Sequence, residues 1–158
     1  MPQVKEYLDI AAEKTGVEFI GLERKSAVIK HGMGSSVEDI LGWNIIIRDK
    51  MGTCYEYYMA QPPLIGLTQP VPAQCPLGIV AFNDYKINIE EAVKLFHTQN
   101  GGDHFTDVVL SWPLTHPEAP EPYWYFRTNL GNNVVIGANS GQIKGCSPIV
   151  VLYMAQHN

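Results

Sequence analysis

The sequence is short of charge and lacks any stretch that forces a particular chemistry. It has no GxSxG elbow, no Walker loop and no dinucleotide fingerprint. Gly32-Met33-Gly34-Ser35-Ser36 has the glycines of a phosphate loop, but no lysine follows to reach a phosphate, so it reads as a mobile loop. Lys, Arg, Asp and Glu make up 17% of the chain against 46% hydrophobic residues. That balance excludes a disordered chain and suits a folded core. Cysteine is scarce: Cys54, Cys75 and Cys146 are an odd number with no CxxC pair. A secreted disulfide scaffold would carry more. The three read as small buried hydrophobes, with a Cys75–Cys146 bridge near the loop ends as the open alternative. Long apolar runs are also missing. Lys5, Glu6, Asp9, Glu13 and Lys14 interrupt the first fourteen residues, and no run is long enough to span a bilayer. The expectation is a cytoplasmic protein with no membrane partner, although a mature secreted protein would look the same.

The net charge of −5 disfavours phosphate backbones, so no nucleic-acid partner is expected. The densest basic group, Arg24, Lys25 and Lys30, reads as a solvated strand face.

What is present is a pattern of alternating helix and strand signals. Val4, Tyr7, Leu8 and Ala11 make one apolar stripe at helical spacing, ended by Gly16. A second helix starts at Asn88, with Glu91 three residues on as in a capping box. Its stripe is Ile89, Ala92, Val93 and Phe96, and Asn100-Gly101-Gly102 stops it. β-formers follow each helix, at 17–22 and 105–112. Hairpins follow those, 43–48 with 54–60 and 123–128 with 133–138, turning at Gly52 and Gly131. Further strands are expected at 77–82 and 147–154, and a short edge strand at 64–67.

The order predicts an α+β fold of two helix-plus-antiparallel-sheet repeats, of α-β-β-β type, forming a curved sheet with helices on one face. The first repeat is 1–68, a Pro-rich linker is 69–76, and the second repeat is 77–158; the two either stand apart or form one compact domain.

The helix Ile89-Glu90-Glu91-Ala92-Val93, the hairpin from Tyr123 through Gly131 to Ile136, and the ending Ala138-Asn139-Ser140-Gly141-Gln142-Ile143 resemble the PepSY family. In that family the ending tends to read Asp-Ala-x-Thr-Gly-x-Val; Gly141 and Ile143 match it, and the acidic and Thr positions do not. The resemblance covers residues 89–143. Two such units are broadly similar to the tandem architecture of β-lactamase-inhibitory proteins. The resemblance implies a noncatalytic module in a family linked to protease propeptides and protease inhibition, usually exported.

Candidate chemistry is sparse. His97 and His104 lie seven apart across a helix end, which is not metal-ligand spacing on one helix, and His31, His116 and His157 are further away. No metal site is expected. Cys146, preceded by Gly145, is the best nucleophile candidate and has no local signature, so no catalytic residue is assigned. No cofactor is expected. The aromatics carry more. Strand alternation prevents Tyr55, Tyr57, Tyr58, Trp112, Tyr123, Trp124, Tyr125 and Phe126 from all facing one core.

The first expectation is therefore a noncatalytic protein-binding module, an inhibitor or immunity-type protein whose partner is another protein such as an enzyme. Its anchors would be Tyr57, Trp112, Tyr123 and Tyr125, with the 30–36 and 113–122 loops at the edge. The alternative is a small-ligand-binding or cysteine-dependent hydrolytic protein with a pocket between helix and sheet; buried polar groups there would favour it. A third reading is a homodimer formed through the open sheet face.

Overall fold

The computed structural model describes residues 4–115 and 119–144. Two α-helices, α1 (Val4–Thr15) and α2 (Ile89–Phe96), accompany nine strands: β1 (Phe19–Ile29), β2 (Ile40–Asp49), β3 (Cys54–Ala60), β4 (Val71–Ala73), β5 (Ile79–Val80), β6 (Phe105–Pro113), β7 (Tyr123–Thr128), β8 (Asn133–Gly137) and β9 (Ile143–Lys144). They form one antiparallel sheet in the order β4-β3-β2-β1-β6-β7-β8-β9, with β5 pairing β6 beside that path.

This corrects the expected pair of helix-plus-sheet repeats. The described residues are mostly antiparallel sheet, with two α-helices among them. The strands that would begin each repeat pair with each other: Arg24, Lys25 and Ser26 of β1 face Ser111, Leu110 and Val109 of β6. Two separate sheets would leave those edges with unpaired backbone groups, and joining them removes both edges.

Both helices bury their stripes on one side. Val4, Tyr7 and Ala11 of α1 and Ile89, Ala92, Val93 and Phe96 of α2 enter the same cluster as Trp43, Ile45, Leu110, Trp124 and Ile136 from the sheet. Asn88 caps α2, its side-chain oxygen accepting the Glu91 amide at 2.9 Å. The helix stops at Phe96, before Gly101, and Gly16 closes α1 with a positive φ of 73°. The hairpin turns are set by side chains as well as glycines. Asp49 Oδ1 accepts the Met51 and Thr53 amides, and Thr128 Oγ1 accepts those of Leu130 and Asn132.

Alternation assigns the other face. On β7, Trp124 and Phe126 join the helix-side cluster, while Tyr123 and Tyr125 join Val109, Ala119 and Val135 in a second one. In β1 the alternation is broken by a register shift. Leu22 lies opposite Ile47, but Arg24 lies opposite Ile46, so Glu23 is an extra, bulged residue. The bulge puts both Leu22 and Lys25 on the helix side, three positions apart.

The Pro-rich stretch 61–76 is built into the sheet. Its strand is β4 at 71–73, on the edge of β3, rather than at 64–67, where Leu67 makes only a bridge to Met59. The expected strand at 147–154 lies outside the described residues. Among the described residues no helix is long and apolar enough to cross a membrane.

Candidate functional site

The loop between β3 and β4 begins on a hydrogen-bonded corner. Gln61 donates its amide to the Leu41 carbonyl at 2.9 Å, and its side-chain oxygen accepts the Trp43 indole N–H at 2.7 Å. Ala60 N donates to Gly66 O and Leu64 N to Gln61 O, which folds 61–66 back on itself. Thr68 then fastens the chain to β3, its amide donating to Tyr58 O and its hydroxyl accepting the Tyr58 amide. The Tyr58 ring lies across Gly42, and its hydroxyl donates to Leu41 O at 3.2 Å. A Cβ at Gly42 would collide with that ring and would have to push it aside. A disulfide between Cys54 and Cys75 closes the whole segment. Cys75 thus pairs with Cys54, not with Cys146, because β4 lies along β3 and brings Ala73 opposite Cys54.

This fastened loop shows apolar side chains to water. Ile65 is fully exposed, and Leu64, Leu67 and Val71 are about half exposed. Exposed apolar residues are ordinary when scattered, but four within eight positions of one restrained segment form a patch.

Beside the loop runs a groove of about 880 Å³ between α2, the 61–64 corner and the 30–38 segment. Its walls are mainly apolar, from Val37, Ile40, Leu41, Pro62, Leu64 and Val93, with Lys30, Lys94, Glu38 and His97 also lining it. The 30–36 segment is anchored rather than mobile. Gly34 exchanges backbone hydrogen bonds with Phe105, and Asp39 accepts the amides of Ser35 and Ser36. Those amide bonds outweigh the opposing effect of burial and hold the Asp39 carboxyl below the usual range.

Under the helices lies a buried amine. Lys25 is 3% exposed and sits in a cage of four rings: Trp43 at 4.2 Å, Tyr7 at 5.0 Å, Trp124 at 5.4 Å and Tyr85 at 5.8 Å from its nitrogen. It donates to the Tyr7 hydroxyl at 2.8 Å and lies 3.4 Å from that of Tyr85. Burial pulls its ammonium down to about 7, opposed in part by the charge of Glu90. Burial also pushes the phenols of Tyr7 and Tyr57 up, and that of Tyr85 up to about 12. Glu90, on the first turn of α2, lines the groove and holds one buried carboxylate oxygen without a hydrogen-bond partner. The basic group 24–30 is therefore not a solvated face at Lys25.

The four expected anchors are not gathered on an open face. Tyr57 is 2% exposed and donates its hydroxyl to Tyr7 O. Tyr123 and Tyr125, at 4% and 2%, are buried on the opposite side of the sheet, where Lys144 donates to the Tyr123 hydroxyl. Trp112 is half-buried, its indole donating to Ala119 O and its ring against Phe82. Side chains this enclosed present little area to a partner. His97 meets Ser35 O while His104 meets Asp103, so those two histidines share no site. His116, His157 and Cys146 lie outside the described residues.

Nothing in the sequence singles out Glu23, while Lys25, expected on a solvated face, is a caged amine, and 64–67, expected as an edge strand, is an exposed loop. Leu64, Ile65 and Leu67 inside a Pro-rich stretch were the available signal, since clustered apolar residues in one loop are less ordinary than scattered ones.

Compared with protein-family models, curated proteins and solved structures, the chain matches none.

Proposed function

We propose that the chain is a noncatalytic protein-binding module of inhibitor or immunity type, and that it grips its partner with the 62–67 loop. The observation that carries this is the pairing of restraint with exposure: Leu64, Ile65 and Leu67 stand in water on a segment fixed at Gln61, at Thr68 and by the Cys54–Cys75 bridge. Ordering a loop on binding costs free energy, and a loop ordered beforehand avoids most of that cost. Each apolar side chain buried in a partner's cleft then contributes about 1.5–3 kcal/mol. The partner surface that fits is an apolar cleft, such as the substrate cleft of an enzyme. The chain's charge of −5 would steer it toward a basic rim. The PepSY-like residues of 89–143 favour the same class of function.

The test is affinity capture with wild-type and Leu64→Asp/Ile65→Asp baits, followed by calorimetric titration of the purified captured protein. The expected result is at least a hundredfold weaker binding by the double variant at unchanged melting temperature. Equal affinities for the two baits would remove the loop from the interface.

A second reading is favoured by the groove itself. Its volume and apolar walls suit a small amphipathic ligand, with Lys30 and Lys94 available to an anionic group. A carboxylate-bearing hydrophobic fluorophore would then bind wild type and lose affinity on Lys94→Glu, while binding both equally would count against it.

A further inference from the structure

We infer that reduction of the Cys54–Cys75 bridge creates a zinc site in which both thiolates and the Glu23 carboxylate bind the metal. Ligand atoms of Glu23, Cys54 and Cys75 all lie within 4.8 Å of one another. A tetrahedral zinc with Zn–S bonds of about 2.3 Å needs sulfur atoms roughly 3.7 Å apart, which the two side chains reach once the S–S bond is broken. The arrangement is carried by the fold rather than by a flexible surface. Cys54 is buried on β3 opposite Arg48 of β2, and Glu23 is the bulged residue of β1.

Glu23 is the unusual member. A fully buried carboxylate beside a disulfide gains nothing from the sulfurs, which are poor hydrogen-bond partners. Its salt-bridge partner among the described residues is Arg48, at 3.2 Å and 3.3 Å. That pair is neutral, and the metal keeps it so: two thiolates bring −2 and zinc brings +2. The buried cluster therefore takes up the ion with no change in net charge, so the thiolate and carboxylate ligands offset the cost of desolvating the cation. Arg48 is then an orienting partner that holds the carboxylate while one of its oxygens turns a lone pair to the metal. With three protein ligands, the fourth position goes to water.

The chemistry balances with a dithiol reductant. One of its thiolates attacks the Sγ of Cys75, the less buried of the two cysteines, and Cys54 leaves as a thiol. The second reductant thiol then closes the reductant's own disulfide and frees Cys75. Zinc binding releases two protons as the thiols become thiolates. The metal would clip β4 to β3 where the bridge had done so, which keeps the loop between them tied under reducing conditions. This inference stands apart from the protein-binding reading and needs no partner.

The test uses the full chain carrying Cys146→Ser, so that only two thiols remain. Cobalt(II) is titrated into the reduced and the oxidised protein and then displaced with zinc, with near-ultraviolet circular dichroism reporting the fold. One equivalent of cobalt with tetrahedral thiolate absorption is expected in the reduced protein, and none in the oxidised. Cys75→Ser should abolish that absorption, and Glu23→Gln, which retains the bridge until it is reduced, should weaken binding at least tenfold. A folded, reduced protein that takes up no metal would overturn the site. So would metal binding that Glu23→Gln leaves unchanged, or an unfolded reduced chain that zinc does not restore.

Discussion

At the residue scale, Lys25 carries the most unusual chemistry. Its pKa is about 7 when folded and near 10.5 when unfolded, so between those values the unfolded chain holds a proton that the folded chain does not. This group therefore makes stability rise with pH from about 7 to 10.5, and its contribution is lost as pH falls toward 7. The phenols act in the opposite sense above pH 10. Tyr7, Tyr57 and Tyr85 ionise later folded than unfolded, so they take stability away there. Lys25→Met should flatten the rise in melting temperature between pH 7 and 10 and raise the melting temperature at pH 7. A variant with the same slope as wild type would show that the amine is not buried as described. Gly42 offers a second test, because Tyr58 fills the space a side chain would need. Gly42→Ala should cost about 1–3 kcal/mol in urea unfolding, the usual range for overpacking. It should also release the Tyr58 contact with Leu41 that helps hold the loop.

At the scale of elements, two fastenings differ in strength and are separable. The α2 cap rests on one hydrogen bond from Glu91 N to Asn88, so Asn88→Ala should cost about 1 kcal/mol. The Cys54–Cys75 bridge spans a separation of 21 residues, and in the loop-entropy account such a bridge contributes roughly 3 kcal/mol. Denaturant unfolding with and without a metal-free dithiol reductant measures it. A loss well below 1 kcal/mol would mean that the hydrogen bonds at Gln61 and Thr68 hold the segment alone. The bulge at Glu23 is an element-scale device too, since one inserted residue sends Lys25 toward the helices and Glu23 toward Cys54.

At the scale of the whole molecule, the β1–β6 junction decides the architecture. It places α1 and α2 over one continuous sheet and encloses Lys25 between rings from α1, β2, β7 and the chain ahead of α2. The proposed binding loop lies away from that junction, beside the β3–β4 edge. Leu64→Asp/Ile65→Asp is therefore expected to leave thermal unfolding within about 0.5 kcal/mol of wild type, as surface changes generally do. A large destabilisation, read from the melting curve, would show that the loop packs on the body of the molecule rather than standing free for a partner.

The sequence by itself determined the two helices and the two hairpin turns. The stripes of Val4, Tyr7 and Ala11 and of Ile89, Ala92, Val93 and Phe96 are the buried faces of the two helices, and Gly52 and Gly131 sit at the two hairpin turns. These follow from periodicity and from backbone conformations that few residues adopt, which are properties of neighbours in the chain. Only the tertiary structure decided which strand edges met, and hence that the sheet is one. It also decided which face each strand turned inward: a period of two makes every aromatic assignment depend on register, and the Glu23 bulge reverses that register within a single strand. For that reason Tyr57, Tyr123 and Tyr125 became interior residues and Lys25 a caged amine, while the folded-back 61–66 corner left Leu64, Ile65 and Leu67 facing water.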